Sequence, residues 1–253
     1  MRGVFLGVEN ATETGLRALA RGANLAAVNR AMKALTRRGM AVTYNLLVFH
    51  PHATVEEVQA NVAFVRAHAE LPFDFGRAEI VAGSPLERQT LQEGLRCGRW
   101  PQWDYRLRNA GAQRAFEVYR DTFRRRRGAY SMLMHQLIAL AYHAGVVRRL
   151  CPGPAAEAAG RRVSGLLGRS NLVIADRIEE MLRVAEGSGS EEALERGLEE
   201  HCRGVMAEAE KLAELLKRLQ AAERVFQWFG IQPMLQGTRW LPRMLRCDAE
   251  AMV

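Results

Sequence analysis

Three apolar runs with helical patterns between them organise the N-terminal part of the chain. The runs span residues 4–8, 41–49 and 73–81, and each ends in polar, glycine or proline residues. Asn24 and Thr54 precede two of the intervening helical patterns as capping residues. Strands that alternate with helices predict an α/β fold with a parallel sheet, whose strands end at one shared edge where ligands bind.

The remainder of the chain is predicted to be mostly helical. Residues 94–105 combine glycine, proline, arginine and two tryptophans, which predicts a connecting loop packed against the sheet domain. Residues 112–150 form a helical stretch that is interrupted at Gly128, and a further helix lies near 166–182. Apolar residues in alternating steps of four and three over 198–219 predict a helical seam and an antiparallel helical hairpin.

The composition is that of an ordinary globular protein. Of the 253 residues, 48% are apolar and 25% are charged. No apolar run approaches the roughly 20 residues that span a bilayer, and the N-terminus lacks the residue order of a signal peptide. We therefore expect a cytoplasmic protein that does not enter a membrane.

The net charge of +8 is unevenly distributed along the chain. Residues 1–150 hold 22 Lys and Arg against 12 Asp and Glu, whereas residues 151–253 hold 14 against 16. We interpret the basic half as an arginine-rich solvated surface, and we do not expect nucleic acid as a partner. Nucleic-acid binding remains an alternative, and it would weaken steeply as salt is added.

The four cysteines are too far apart in sequence to suggest a chelating motif. Cys97, Cys151, Cys202 and Cys247 are separated by about 50 residues each, unlike the short spacings of zinc and iron–sulfur sites. The histidines at 50 and 52 have no third ligand nearby in sequence. We predict reduced thiols and no metal site.

Three stretches, in this order, resemble the second half of the barrel of radical S-adenosylmethionine enzymes. The sequence GVEN at 7–10 with the helix after it is similar to the fourth strand and helix of that family. Residues 45–65, NLLVFHPHATVEEVQANVAFV, are similar to the fifth strand and helix, and residues 77–94 to the sixth strand and exit. The match is closest to the subgroup that also carries a cobalamin-binding domain, and it covers about residues 3–150.

The resemblance implies a partial, half TIM-like βα barrel with parallel strands, followed by an all-α C-terminal region. We divide the chain into the partial barrel at 1–95, a helical extension packed on it at 96–150 and the hairpin domain at 151–253. The implied function is that of the C-terminal portion of a radical enzyme that depends on S-adenosylmethionine and a 4Fe–4S cluster, with cobalamin in the subgroup. The family's CxxxCxxC cluster loop has no counterpart in this sequence. We therefore expect no cofactor to bind stably to this chain alone, and no activity from it.

The resemblance also assigns candidate cofactor-binding residues at the strand ends: Glu9 and Asn10, His50, and Gly83 with Ser84. Glu9 is the residue we favour, because a carboxylate can accept hydrogen bonds from ribose hydroxyls or an ammonium group. The catalytic residues and the substrate are not implied.

Each candidate also has a structural interpretation. Asn10 or Thr12 can cap the following helix, His50 can be a surface histidine of a loop, and Gly83-Ser84 can form a turn into a helix. The alternative function is a non-catalytic, degenerate scaffold that forms an oligomer or binds a partner through its C-terminal helices. Because Met1 lies almost directly before the first strand, we expect either a piece of a longer protein or a truncated relative.

Overall fold

A computed structural model of the chain describes residues 3–228 except 21, 23 and 125–127, with side chains up to residue 222. Residues 229–253, at the end of the predicted hairpin domain, therefore lie outside the described part, as do Cys247 and three of the four consecutive arginines.

The first three strands form one parallel sheet, which confirms the α/β class. Its strands are β1 (Gly3–Glu9), β2 (Ala41–Phe49) and β3 (Phe73–Arg77), in the order β1-β2-β3. The helices α1 (Glu13–Ala18) and α2 (Leu25–Arg37) connect β1 to β2, and α3 (Val55–Ala67) connects β2 to β3. The carboxyl ends of all three strands therefore meet at one edge of the sheet.

Only one face of this sheet is fully buried. On that face Tyr44, Leu46 and Phe75 are at most 2% exposed and contribute to the hydrophobic core. On the opposite face Phe5 is 64% exposed, and Asn45 is half-buried. We call this opposite side the open face. It is unusual, because parallel sheets are normally covered on both faces.

The structure continues after β3 with short elements and then long helices. In chain order these are α4 (Pro85–Gln92), β4 (Arg96–Arg99), β5 (Gln102–Tyr105), α5 (Ala110–Thr122), α6 (Ala129–Leu150), α7 (Pro154–Ala185) and α8 (Glu191–Trp228). The buried core runs without a break from the sheet into α8. The division into three domains remains a prediction.

The outer edge of β3 is closed by side chains. The N–H of Phe75 donates to Asp74 Oδ1 at 2.9 Å, and the Phe75 carbonyl accepts from Tyr119 Oη at 2.7 Å and from Arg124 Nη2 at 3.2 Å. Arg124 is in turn paired with Asp74 at 3.0 Å. These groups occupy positions that a further strand would need. Arg124 thus makes specific contacts with β3, although its side chain remains 39% exposed.

Two sequence predictions after β2 are wrong. The third strand ends at Arg77 instead of residue 81. Arg77 pairs with Phe49, the last residue of β2, and no strand in the described part of the chain lies beside residues 78–81. The predicted loop at 94–105 contains the antiparallel pair β4–β5. Trp100 at its tip is 66% exposed, but Tyr105 bears out the predicted packing on the sheet domain, since it is buried and its hydroxyl donates to the Phe49 and Ala78 carbonyls.

The antiparallel hairpin and its seam are confirmed. Contacts between α7 and α8 pair Ser170 with His201 and Arg169 with Glu208, so the helices run in opposite directions. Leu198, Cys202 and the other seam residues as far as Leu216 are buried against α7 and α6 within the chain. Among the described residues, no helix combines the length and apolar character that a membrane crossing requires.

Replacing Tyr119 by phenylalanine should destabilise the protein by about 1–2 kcal/mol. The change removes a buried hydroxyl that bonds the Phe75 carbonyl and leaves that carbonyl with one longer partner. Urea unfolding at neutral pH measures the loss. Tyr142→Phe is the matched control, because this tyrosine is 45% exposed and should change stability by less than about 0.5 kcal/mol. If the two variants lose the same stability, the Tyr119 hydroxyl does not stabilise the outer edge of β3.

Candidate functional site

The ends of β1 and β2 bring three of the predicted residues together at the carboxyl edge of the sheet. Glu9 ends β1, Asn10 follows it, and His50 follows β2. All three are buried, with exposed fractions of 5%, 0% and 1%. Buried polar groups at this position are held by hydrogen bonds or are available to a ligand.

Glu9 adopts a strained backbone conformation. Its φ is +66°, at the point where the register between β1 and β2 shifts, and the Asn10 N–H donates to the Val8 carbonyl at 2.8 Å. The carboxylate turns back over Gly7, and its Oε1 lies 2.4 Å from the position that a Cβ of residue 7 would occupy. A left-handed conformation costs a non-glycine residue on the order of 1 kcal/mol. Here it places a carboxylate against the open face.

Asn10 organises the loop after β1. Its Oδ1 accepts from the Thr12 N–H at 2.9 Å and from Asn61 Nδ2 at 3.3 Å, and Asn61 Oδ1 accepts from the Ala11 N–H. Thr12 is the residue that caps α1, since its hydroxyl accepts from the Gly15 N–H at 2.9 Å. The prediction that a residue here caps the following helix is therefore confirmed for Thr12. Asn10 does not cap the helix itself, but its side chain holds Thr12 in place. Asn10 Nδ2 is buried without a partner.

Glu57 joins this loop to the loop after β2. It completes the predicted capping box with Thr54, and its Oε1 lies 3.1 Å from the Thr12 hydroxyl. Burial on its own would raise the pKa of Glu57. The nearby His50 ring, with hydrogen bonds from the Thr12 hydroxyl and the Thr54 backbone, outweighs that effect and lowers the pKa below its ordinary value.

His50 is a core residue, so the surface-histidine interpretation is wrong for it. Its Nε2 lies 3.4 Å from Glu57 Oε2, and neither ring nitrogen has a hydrogen bond of good geometry. His52 is the more exposed of the two histidines, and it contacts Gln89 of α4 and Glu93, the residue that follows this helix. The two side chains therefore do not form a shared site.

Gly83 and Ser84 lie away from this cluster. Because β3 ends at Arg77, the pair follows the strand by six residues instead of ending it. Ser84 caps α4 by accepting from the Glu87 N–H at 3.2 Å, and Gly83 has a φ of +78° with open space where a Cβ would lie. The structure shows the turn into a helix, with no close backbone approach at Gly83.

The described cysteines do not fit a 4Fe–4S cluster. Cys97 is exposed on β4, Cys151 follows α6, and Cys202 is buried in the α7–α8 seam. Burial raises the pKa of the Cys202 thiol to about 12, which disfavours the thiolate that a cluster needs. Among the described residues, no three His, Cys, Asp or Glu side chains are grouped as metal ligands.

Sequence reasoning missed a cavity of about 590 Å³ beside β3. It lies between the open face and the β4–β5 pair, and it contains residues far apart in sequence such as Asn45, Asp74, Arg77 and Arg124. Arg77 is held there by Asp104 at 2.5 Å and stacks on the ring of Tyr105 at 3.7 Å. An arginine in a predicted strand was the only signal in the sequence.

The chain was also compared with known proteins. No model of a known family, no curated protein and no solved structure matches it. Two features remain as guides to function: the cavity beside β3 and a strand-end cluster that comprises Glu9, Asn10, Thr12, His50, Glu57 and Asn61.

Gly15→Ala should destabilise the protein, although alanine normally stabilises a helix relative to glycine. An added Cβ would lie 2.2 Å from Asn10 Cγ, so the amide that organises the loop must move. We expect a loss of about 2 kcal/mol or more in urea unfolding. Gly204→Ala on α8 is the control, because nothing lies within 4 Å of its added Cβ and it should be neutral or stabilising. A stabilising Gly15→Ala would contradict the packing of Asn10.

Glu57→Gln should flatten the acid dependence of stability. The pKa of Glu57 is lowered in the folded protein, so the ionised side chain stabilises the fold. This contribution to the free energy of unfolding is fully present above the pKa of an ordinary glutamate, and it is lost as the pH falls through the lowered pKa. Between pH ~6 and ~3 the wild type should lose on the order of 1 kcal/mol more than the variant. Urea unfolding across this range measures the difference. Glu70→Gln is the control, because Glu70 is exposed, and its stability should depend on pH as that of the wild type does. If the stability of Glu57→Gln has the same pH dependence as that of the wild type, the ionised form of Glu57 is not stabilised by its neighbours.

Proposed function

We propose that this chain forms one wall of a βα barrel of the radical S-adenosylmethionine type, with Glu9 facing the ribose of that cofactor. The observation that carries the proposal is the placement of the Glu9 carboxylate. A positive φ and the bare backbone of Gly7 hold it against the open face at the carboxyl edge of the sheet. A strained residue is retained where the surrounding structure or a function requires it.

The two edges of the sheet support the same proposal. The outer edge of β3 is closed by Asp74, Tyr119 and Arg124. Among the described strands, β1 pairs with β2 alone. A further strand could therefore pair with β1, whereas none could pair with β3. The resemblance matches β1 to a fourth strand and β3 to a sixth strand and exit, which agrees with this asymmetry.

In this proposal the residues of the strand-end cluster have distinct roles. The Glu9 carboxylate would accept hydrogen bonds from the ribose hydroxyls, and Asn10, Thr12, Glu57 and Asn61 would keep the neighbouring loop in place. When bound, S-adenosylmethionine supplies radical chemistry after reductive cleavage at a 4Fe–4S cluster. Since the described cysteines do not provide a cluster site, we do not expect the chain to cleave the cofactor alone.

The alternative of an oligomerisation module is less well supported. The seam of α8 is the apolar face that would serve an intermolecular coiled coil, and α6 and α7 already bury it within the chain. Among the described residues, the seam therefore offers little apolar surface to a partner.

Ligand-observed NMR with adenosine tests the role of Glu9. We expect weak, millimolar binding in which the ribose protons receive saturation from the protein. Removing the hydroxyls, with 2′,3′-dideoxyadenosine, should weaken binding about tenfold because a charge-assisted hydrogen bond is lost. Glu9→Gln should weaken adenosine binding to a similar extent, and Glu70→Gln should not.

The proposal fails if the two nucleosides bind equally well, or if adenosine binds Glu9→Gln as it binds the wild type. It also fails if adenosine does not bind at millimolar concentration. Circular dichroism of each variant controls for loss of the fold.

A further inference from the structure

The cavity beside β3 has a size suited to a small ligand. Its volume is about 590 Å³, within the range of roughly 300–1,000 Å³ that is usual for ligand sites. Leu47, Ile80, Pro101 and Trp103 contribute apolar surface to its walls. The part of a ligand that contacts these walls should therefore be apolar.

Two oxygen acceptors lie side by side in the floor of this cavity. Asn45 on β2 and Asp74 on β3 are register partners on the open face, and neighbouring strands are about 4.8 Å apart. Asn45 Oδ1 is buried and has no hydrogen-bond donor. Asp74 accepts from the Phe75 N–H and from Arg124, and a carboxylate can accept further bonds. Asn45 Oδ1 therefore lacks a donor.

The charges around the cavity favour a cationic donor. Its three arginines are each paired with an aspartate: Arg77 with Asp104, Arg120 with Asp121, and Arg124 with Asp74. The charges that line the cavity balance, with three arginines against Asp74, Glu79 and Asp104, and Glu79 is the one lining carboxylate without an arginine partner among the described residues. Among the described residues each lining arginine already has an aspartate partner, although Arg77 Nε is buried without a hydrogen-bond acceptor.

We propose that this cavity binds a small organic primary amine. Its ammonium group would donate to Asn45 Oδ1 and Asp74, since an ammonium has three donors and no acceptor. Its apolar body would pack on Ile80, Pro101 and Trp103. This site is separate from the nucleoside site proposed at Glu9, and neither proposal requires the other.

Cyclohexylmethylamine is a suitable probe, with N-(cyclohexylmethyl)acetamide and cyclohexylacetate as comparators that share its apolar body. Titrations at neutral pH, followed by ligand-observed NMR and by tryptophan fluorescence, should show the amine binding at least about tenfold more tightly than either comparator. Asn45→Leu should weaken amine binding about tenfold, and Glu79→Gln about threefold.

Thr43→Val is the matched control, because Thr43 lies on the same face of β2 two residues away and outside the cavity lining. It should bind the amine like the wild type. If Asn45→Leu does not fold, Glu79→Gln still decides the question, since Glu79 is exposed. Glu79→Gln should also leave the preference for adenosine over its dideoxy form unchanged, so that failure of one site can be distinguished from failure of the other.

The proposal is overturned if the amide or the carboxylate binds as tightly as the amine. It is equally overturned if a folded Asn45→Leu variant or Glu79→Gln binds the amine like the wild type, or if the amine does not bind at millimolar concentration.

Discussion

The hydrogen bonds that Tyr119 and Arg124 donate to the Phe75 carbonyl determine where the sheet ends. The ring of Tyr119 also packs against Phe75 and Phe123, and Tyr130 of α6 completes this aromatic cluster. One tyrosine thus closes a strand edge and joins the sheet to the long helices. Because aromatic side chains bury large areas, this contact carries packing energy as well as hydrogen-bond energy. The position of the cavity beside β3 follows from a sheet that ends here.

At the carboxyl ends of β1 and β2, buried polar groups hold the loops together. Residues Asn10, His50 and Glu57 are buried where an apolar core would cost less, and three of their nitrogen atoms have no hydrogen-bond partner of good geometry. Each unsatisfied group costs on the order of 1–3 kcal/mol. Such a cost, together with the backbone strain at Glu9, is difficult to attribute to stability. A requirement for polar chemistry at the strand ends explains it better.

The sequence predicted those features that local patterns control. The strands β1 and β2, the capping box of Thr54 and Glu57, and the seam of α8 were all recognisable from residue spacing. The end of β3 was not, because a neighbouring strand determines it. The burial of His50 was also not predictable, since a histidine beside a proline resembles a surface loop. The cavity depends on Asp74 and Arg124, which are 50 residues apart, and no local pattern indicates such a contact.

Asn45 relates the two candidate sites to each other. It is the register partner of Gly7 on β1 and of Asp74 on β3. The Glu9 carboxylate over Gly7 therefore lies on the same face as the cavity floor, about one strand spacing (~5 Å) from Asn45 and about two (~10 Å) from Asp74. That face also includes the exposed Phe5, which in an ordinary parallel sheet would be covered. An additional layer that covered Phe5 would lie over both sites and exclude water from them. Since electrostatic interactions strengthen when water is excluded, such a layer would strengthen the contacts that both sites make. In the proposed barrel, the open face would be the side of the sheet that this layer covers.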